Sequence, residues 1–207
     1  GVVQVSIGGG EPYAVEYLED AAKAFLDQGL NLRILTNGIG EGNGRNVVQD
    51  RPYLGRIDQT IDNGVKNFSI SLDSLYPARF DYICENEGAW ETAVKTMTHI
   101  GRRLHKVPGS LPTINCVVSN LNLEELPDMV RFAQDIGFAI SSLPVELLAE
   151  RRDGVRNFEA RFIRYSPEMG VYKEDSADEV RARVDQAYDQ LVAMKAAGMP
   201  ILNSTPY

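Results

Sequence analysis

The chain has 207 residues, and 43% of them are hydrophobic, so a single domain can bury a complete core. Its formal net charge of −8 argues against a nucleic-acid-binding surface, which needs a basic stripe. No apolar run approaches the roughly 18 residues that a membrane-spanning helix needs. The two cysteines, Cys84 and Cys116, are too few for a disulfide framework. We therefore expect a protein of the reducing cytoplasm that has neither a nucleic acid nor a membrane as partner.

Along the chain, strand patterns alternate with helical patterns. Strands are predicted over 2–7, 32–35, 67–72, 113–118 and 139–143, and helices over 15–29, 53–63, 89–104, 123–136 and 177–197. A loop through Tyr82 precedes the third of these helices, the segment 146–178 is mixed, and 201–204 begin a further extended piece. This alternation predicts an α/β chain with a parallel sheet. The strands are rich in Val, Ile and Leu on both faces, which is typical of strands covered by helices.

The residues at the strand ends distinguish between two architectures that have parallel strands. Each predicted strand ends in small polar residues, as in Thr36-Asn37-Gly38 and Asp73-Ser74. A doubly wound sheet gathers its ligands at one switch point, whereas a βα barrel gathers them around a ring of strand ends. The distribution therefore favours a barrel.

The first strand ends in an unusual turn, Gly8-Gly9-Gly10-Glu11-Pro12. Glycines let the backbone turn sharply and approach a ligand closely, and Pro12 suits the entry to a helix. Glu11 then lies at the carboxyl end of a strand, where α/β folds bind ligands. An ordinary βα turn with a solvated glutamate is the alternative interpretation of this turn taken alone.

Three strand ends, taken in order, resemble the radical S-adenosylmethionine superfamily. They are Gly9-Gly10-Glu11-Pro12, Leu35-Thr36-Asn37-Gly38 and Ile70-Ser71-Leu72-Asp73-Ser74, and they are followed by Asn115 in the next strand. The resemblance covers nearly the whole chain. It implies a partial (βα)6 TIM-like barrel, of which strands two to six are present, so that residues 1–207 form a core barrel truncated at the N-terminus and expected to continue at the C-terminus.

The resemblance also assigns a cofactor site. Gly9, Gly10, Glu11 and Pro12 would hold the amino group of the methionine part of S-adenosylmethionine. Ser71 and Asp73 would contact the ribose or the carboxylate, Thr36 and Asn37 would line the same mouth, and Asn115 would hydrogen-bond the cofactor. Residues around Ser142, Leu143 and Pro144 would flank the adenine.

The activity implied is reductive cleavage of S-adenosylmethionine at a [4Fe–4S] cluster, which yields methionine and a 5′-deoxyadenosyl radical that abstracts a substrate hydrogen. The family binds this cluster through a Cys-x3-Cys-x2-Cys loop, whereas Cys84 and Cys116 lie 32 positions apart. We therefore expect no metal ligands in this chain and cluster ligands outside it, and a fragment that is inactive alone. An electron donor such as flavodoxin or ferredoxin is implied as a partner, and no catalytic residue is assigned.

Two other functions stay open. One is a cluster-less barrel that acts as a binding or scaffold domain. The other is a metal-independent lyase with Glu11 as base and a lysine Schiff base, which is disfavoured because neither Lys66 nor Lys95 ends a strand. The substrate class is open between peptides, sugars and small metabolites. Glu146, Glu150, Arg151 and Arg152 are candidates for a substrate lid.

Overall fold

The computed structural model describes residues 3–40, 53–119, 121–144, 163–166, 171–174 and 177–203. The strands are β1 (Gln4–Ile7), β2 (Asn31–Thr36), β3 (Asn67–Ser71), β4 (Thr113–Val118), β5 (Ala139–Pro144), β6 (Ile163–Ser166) and β7 (Val171–Glu174). The helices are α1 (Leu18–Asp27), α2 (Tyr53–Asp62), α3 (Pro77–Cys84), α4 (Ala89–Leu104), α5 (Leu126–Asp135) and α6 (Ala177–Ala196). All five predicted strands are present, with ends that shift by one or two residues.

Strands β1 to β5 form one parallel sheet in which each strand lies beside the one before it in sequence. A doubly wound sheet would reverse its order at a switch point, and this sheet does not. Beyond β5, the backbone N–H of Ile140 donates to Pro200 O and Ile140 O accepts from Leu202 N, each at 2.8 Å. The fold is therefore α/β with a five-stranded parallel sheet, and its order is that of a partial barrel.

Among the described residues, the buried hydrophobic core cluster lies on one face of this sheet. In β2, Leu32 and Ile34 are buried in the core cluster, whereas Arg33 and Leu35 on the opposite face are half-exposed. The same alternation in β4 buries Ile114 and exposes other positions. The strands were expected to be apolar on both faces, but the second face of β2 is partly exposed and includes a charged residue, Arg33. The second face, called the trough below because the strands follow the order of a partial barrel, carries half-buried and exposed side chains, both polar and apolar.

Residues near Tyr82 were expected to form a loop, but they belong to α3. Pro77 occupies the first helical turn, where its missing N–H has no cost, and Phe80 is the buried anchor of the helix. Glu125, the last residue of the short 3-10 helix Leu123–Glu125 that leads into α5, holds the N-terminal side of α3 in place. Its buried carboxylate accepts from Ser74 Oγ at 2.9 and 3.0 Å, from Leu75 N at 2.7 Å and from Arg79.

Strands β6 and β7 pair as an antiparallel hairpin within the segment predicted to be mixed. The lid candidates Glu146, Glu150, Arg151 and Arg152 lie outside the described residues. Within the described part of the chain, no helix combines the length and the apolar character needed to cross a membrane.

Candidate functional site

The turn after β1 begins the site. Gly9 and Gly10 have φ angles of +88° and +61°, a backbone conformation that favours glycine, and both are exposed. A Cβ atom built on either glycine would meet nothing within 4 Å, so open space lies over this turn. Glu11 follows as the N-cap of the short 3-10 helix Pro12–Ala14. The turn therefore leaves accessible backbone beside a carboxylate.

Three hydrogen bonds fix the orientation of the Glu11 carboxylate. Its Oε1 atom accepts from the Tyr13 backbone N–H at 3.0 Å and from the Thr36 hydroxyl at 2.7 Å. Its Oε2 atom accepts from the Asn37 backbone N–H at 2.8 Å. A carboxylate offers about four acceptor positions, so among the described contacts roughly one position remains, on Oε2. Glu11 is therefore held in place with capacity for one further donor.

Opposing effects set the charge of Glu11. Burial has the largest effect, and it raises the pKa of this carboxyl because a low-dielectric surrounding disfavours the charged form. Hydrogen bonds from Asn37, Thr36 and Tyr13, together with the charge of Arg56, act in the opposite direction. The net result is a raised pKa. A cationic ligand would lower it again and would stabilise the carboxylate.

Thr36 and Asn37 both contact Glu11, but the amide of Asn37 is directed into its own turn. Asn37 Oδ1 accepts from the N–H groups of Ile39 at 2.7 Å and Gly40 at 3.0 Å, and Nδ2 donates to Gly40 O at 3.1 Å. Such local bonds are typical of asparagine after a strand. Asn37 therefore contributes its backbone N–H to the site, while its side chain stabilises the turn.

Helix α2 contributes two residues that the sequence analysis missed. Arg56 donates to Val15 O at 2.7 Å, to Tyr13 O, and to both carboxylate oxygens of Glu19 at 2.5 and 2.9 Å. The ring of Tyr53 meets that of Tyr13 edge to face, with centroids 5.2 Å apart. Positions 53 and 56 share a helix face, but nothing in the sequence signals their contact with residues about 40 positions earlier.

Ser71 and Asn115 form part of a polar row across the trough. They are register partners in β3 and β4, and Asn115 pairs in turn with Ser141 in β5. Ser71 is exposed, while Asn115 and Ser141 are half-buried. Ser141 was not a predicted site residue, although alternation along β5 from the buried Ile140 would have placed it on this face. All three lie on the trough face, toward the carboxyl ends of their strands.

Asp73 connects two strands at the same edge of the sheet. Its Oδ1 atom accepts from Val117 N at 2.7 Å, and the Asn122 amide donates to the backbone oxygens of Asp73 at 2.6 Å and Val117 at 2.8 Å. Burial raises the pKa of Asp73. It also raises the pKa of the neighbouring Cys84 thiol, to about 11, with smaller contributions from Asp73 and Asp81. A thiol with such a pKa stays protonated near neutral pH, so Cys84 is a poor nucleophile.

At the end of β5, the backbone of Ser142 is already occupied. The Asn203 side chain accepts from Ser142 N at 2.8 Å and donates to Ser142 O at 2.5 Å. The adenine contact expected through the Ser142 backbone therefore has no free N–H there. Leu143 remains 57% exposed beside Val117, which is 45% exposed, so an apolar row borders the polar one. Of Pro144, the structure describes only the position that ends β5.

No metal centre is found among the described residues. They contain no group of three or more His, Cys, Asp or Glu side chains that could hold an ion. Cys116 is buried, and its sulfur contacts Met129 Sδ at 3.7 Å. Lys66 lies before β3, at the opposite end of the strands from Glu11, and donates to Pro108 O at 3.3 Å. Its position gives no support to a Schiff base paired with Glu11.

Comparison with known proteins gives two curated relatives, while no family model matches the sequence. The chain is 25% identical over 138 residues to PqqA peptide cyclase of Methylobacterium nodulans, covering 66% of this chain and 32% of that protein. It is 29% identical over 140 residues to the mitochondrial GTP 3′,8-cyclase of Arabidopsis thaliana, covering 65% of this chain and 31% of that protein. The matches thus span about a third of each relative.

Solved structures support the same fold. Streptococcus suis SuiB bound to S-adenosylmethionine matches with a TM-score of 0.61 and 15% identity, covering 100% of this chain and 40% of that one. A domain of pyruvate-formate lyase-activating enzyme from Bacteroides vulgatus matches with a TM-score of 0.57 and 15% identity, covering 99% of this chain and 100% of that one. The sequence relatives, this fold and the ordered strand-end motifs all agree with the resemblance to the radical S-adenosylmethionine superfamily.

Proposed function

We propose that this chain binds S-adenosylmethionine at the carboxyl ends of β1 to β5, as the core barrel of a radical enzyme. One observation carries the proposal. The half-buried carboxylate of Glu11 is held by three donors and keeps about one acceptor position beside an open glycine turn. An ammonium group has three N–H donors, so it fits this combination of a carboxylate and exposed backbone carbonyls.

Each residue then has a definite role. Glu11 accepts from the cofactor's ammonium, with the backbone of Gly9 and Gly10 beside it. Ser71 and Asn115 supply hydrogen bonds to its other polar groups. S-adenosylmethionine held by these residues would supply radical chemistry for hydrogen abstraction from a substrate, given a cluster and an electron donor of the flavodoxin or ferredoxin kind.

Some expected residues take a different role in this proposal. Asp73 and the side chain of Asn37 position the strand ends, because each is engaged by backbone groups of this chain. No group of three metal-ligating side chains lies among the described residues. The iron–sulfur cluster therefore does not fit this part of the chain, and we assign to these residues only the binding of S-adenosylmethionine.

The test is the affinity for S-adenosylmethionine, measured by anaerobic calorimetry on the wild type and on Glu11→Gln. Losing a charge-assisted hydrogen bond of about 1.5–3 kcal/mol should weaken binding by roughly tenfold or more. Glu87→Gln, at an exposed loop position, is the matched control and should bind as the wild type does. Equal affinity in both variants would contradict the role of Glu11. No binding by the wild type would favour the scaffold alternative.

For the substrate class, we propose a peptide. PqqA peptide cyclase is among the sequence relatives, and one matching structure is SuiB bound to the precursor peptide SuiA. In this chain, the exposed Ser71 and Val117 lie in neighbouring rows of the trough face, along which an extended chain could bind. The other relative is a GTP cyclase. Saturation-transfer NMR with GTP should therefore show no contact, and a GTP signal lost in Asn115→Ala would favour the nucleotide class instead.

A further inference from the structure

The hydroxyl of Thr36 is a junction of three polar groups. Its Oγ1 atom lies 2.7 Å from Glu11 Oε1, 3.1 Å from the Tyr53 hydroxyl oxygen and 3.2 Å from the Gly38 backbone nitrogen. Thr36 itself is buried, with 4% of its surface exposed. All three bonds therefore form away from bulk water, where a misdirected donor is costly.

The direction of each bond follows from counting protons. A hydroxyl has one proton and two lone pairs. The Gly38 N–H can only donate and an ionised Glu11 can only accept, so the Thr36 proton is directed to Glu11. One lone pair of Thr36 remains, and Tyr53 must donate to it. The proton order is therefore Tyr53 to Thr36 to Glu11.

Contacts of α2 prevent Tyr53 from turning away. Its ring packs edge to face against Tyr13, which follows Glu11 by two residues. One helical turn further, Arg56 binds the backbone oxygens of Tyr13 and Val15. The same helix thus fixes both the backbone after Glu11 and the hydroxyl that acts on Thr36.

We propose that Tyr53 is a positioning residue: its hydroxyl donates to Thr36 and thereby fixes the Thr36 hydroxyl as a donor to Glu11. Any effect of this hydrogen bond on the binding of S-adenosylmethionine rests on the proposed function, whereas the order of the hydrogen bonds does not. Burial raises the pKa of Tyr53 well above its usual range, so this hydroxyl keeps its proton and can donate near neutral pH and below. The other ionisable groups that act on Glu11 or its neighbours are Arg56 from α2, Tyr13 and, from α1, Glu19.

The experiment is a pH titration of the Glu11 carboxyl by ¹³C NMR on the 207-residue chain with labelled glutamate, assigned with Glu11→Gln. Tyr53→Phe keeps the ring and removes only the hydroxyl, so Glu11 should titrate at higher pH than in the wild type. Tyr17→Phe, at a tyrosine that is 69% exposed, is the control and should leave the titration unchanged. Circular dichroism confirms that each variant is folded.

A double-mutant cycle separates this role from a general loosening of the site. Thr36→Val removes the middle hydroxyl and should raise the pKa of Glu11 further than Tyr53→Phe does. Adding Tyr53→Phe to Thr36→Val should then leave this pKa unchanged. Thr36→Ser keeps the hydroxyl and should keep the wild-type pKa of Glu11. A folded Tyr53→Phe variant with unchanged Glu11 titration, or additive effects in the double variant, would overturn the inference. The titration is carried out without cofactor, so its outcome does not depend on S-adenosylmethionine binding. A failure of S-adenosylmethionine binding would contradict the proposed function and leave this hydrogen-bond order unaffected.

Discussion

Replacing Arg56 with methionine should destabilise the fold strongly, because Arg56 and Glu19 form a buried ion pair. Each side chain is only 3% exposed, and the pair is joined by bonds of 2.5 and 2.9 Å. In Arg56→Met, the Glu19 charge stays buried, and the backbone oxygens of Tyr13 and Val15 lose a donor. Removing one partner of a buried pair costs about 3–5 kcal/mol of unfolding free energy. We expect a loss of about 4 kcal/mol.

Urea unfolding measures this loss, provided that the slope of the transition is unchanged between variants. The control is Lys23→Met, which breaks the pair with Asp27, a pair whose side chains are both 58% exposed. An exposed pair in a helix contributes about 0.3–0.5 kcal/mol, so this variant should remain close to the wild type.

A second variant tests the cause of the loss. Arg56→Met combined with Glu19→Leu removes both charges, so it should be more stable than Arg56→Met alone, by about 1 kcal/mol or more. The reasoning is refuted if Arg56→Met costs no more than Lys23→Met, or if the double variant is less stable than the single one.

Two further predictions concern packing and pH. Gly101→Ala in α4 should destabilise the fold by about 1–3 kcal/mol, because a Cβ there would lie 2.0 Å from the backbone oxygen of Ile136. At Gly55 in α2 an added Cβ meets nothing within 4 Å, so Gly55→Ala should stabilise the fold by about 0.5–1 kcal/mol. Thermal or urea unfolding measures both, and stability changes of the same sign in the two variants would contradict this placement of α4. The raised pKa of Asp73 means that its contribution to stability is present below its ordinary pKa and is lost as pH rises through the raised value. The unfolding free energy of the wild type relative to Asp73→Asn should therefore fall as pH rises through that range, and a difference that rises with pH would contradict the burial of this carboxyl.

The sequence predicted the order of strands and helices well because hydrophobic periodicity is a local signal. Helix α4 begins and ends at Ala89 and Leu104 as expected, since its apolar stripe is long and regular. Helix α3 was missed because it has eight residues and Phe80 as its one buried residue, so it shows no comparable stripe. The proline at its start was the available signal.

The sequence predicted site residues well where the strand register alone determines their position. It predicted them less well where the contact is between side chains that are far apart in sequence. Ser71 and Asn115 lie side by side because their strands pair in parallel, and the sequence indicated where those strands end. The Arg56 contacts join positions 37 to 43 residues apart, and one sequence carries no pattern for such a pair. The self-directed amide of Asn37 competes with ligand binding through local bonds that spacing does not reveal.

The Asn203 side chain has a consequence for how this protein meets other molecules. An outer strand presents unpaired N–H and C=O groups, which other chains can extend into an intermolecular sheet and eventually an aggregate. At Ser142, the Asn203 amide satisfies both groups, as a peptide of a further strand would. At Ser142, one side chain therefore occupies the two backbone groups that an added strand would need, so another chain cannot pair with β5 at this residue.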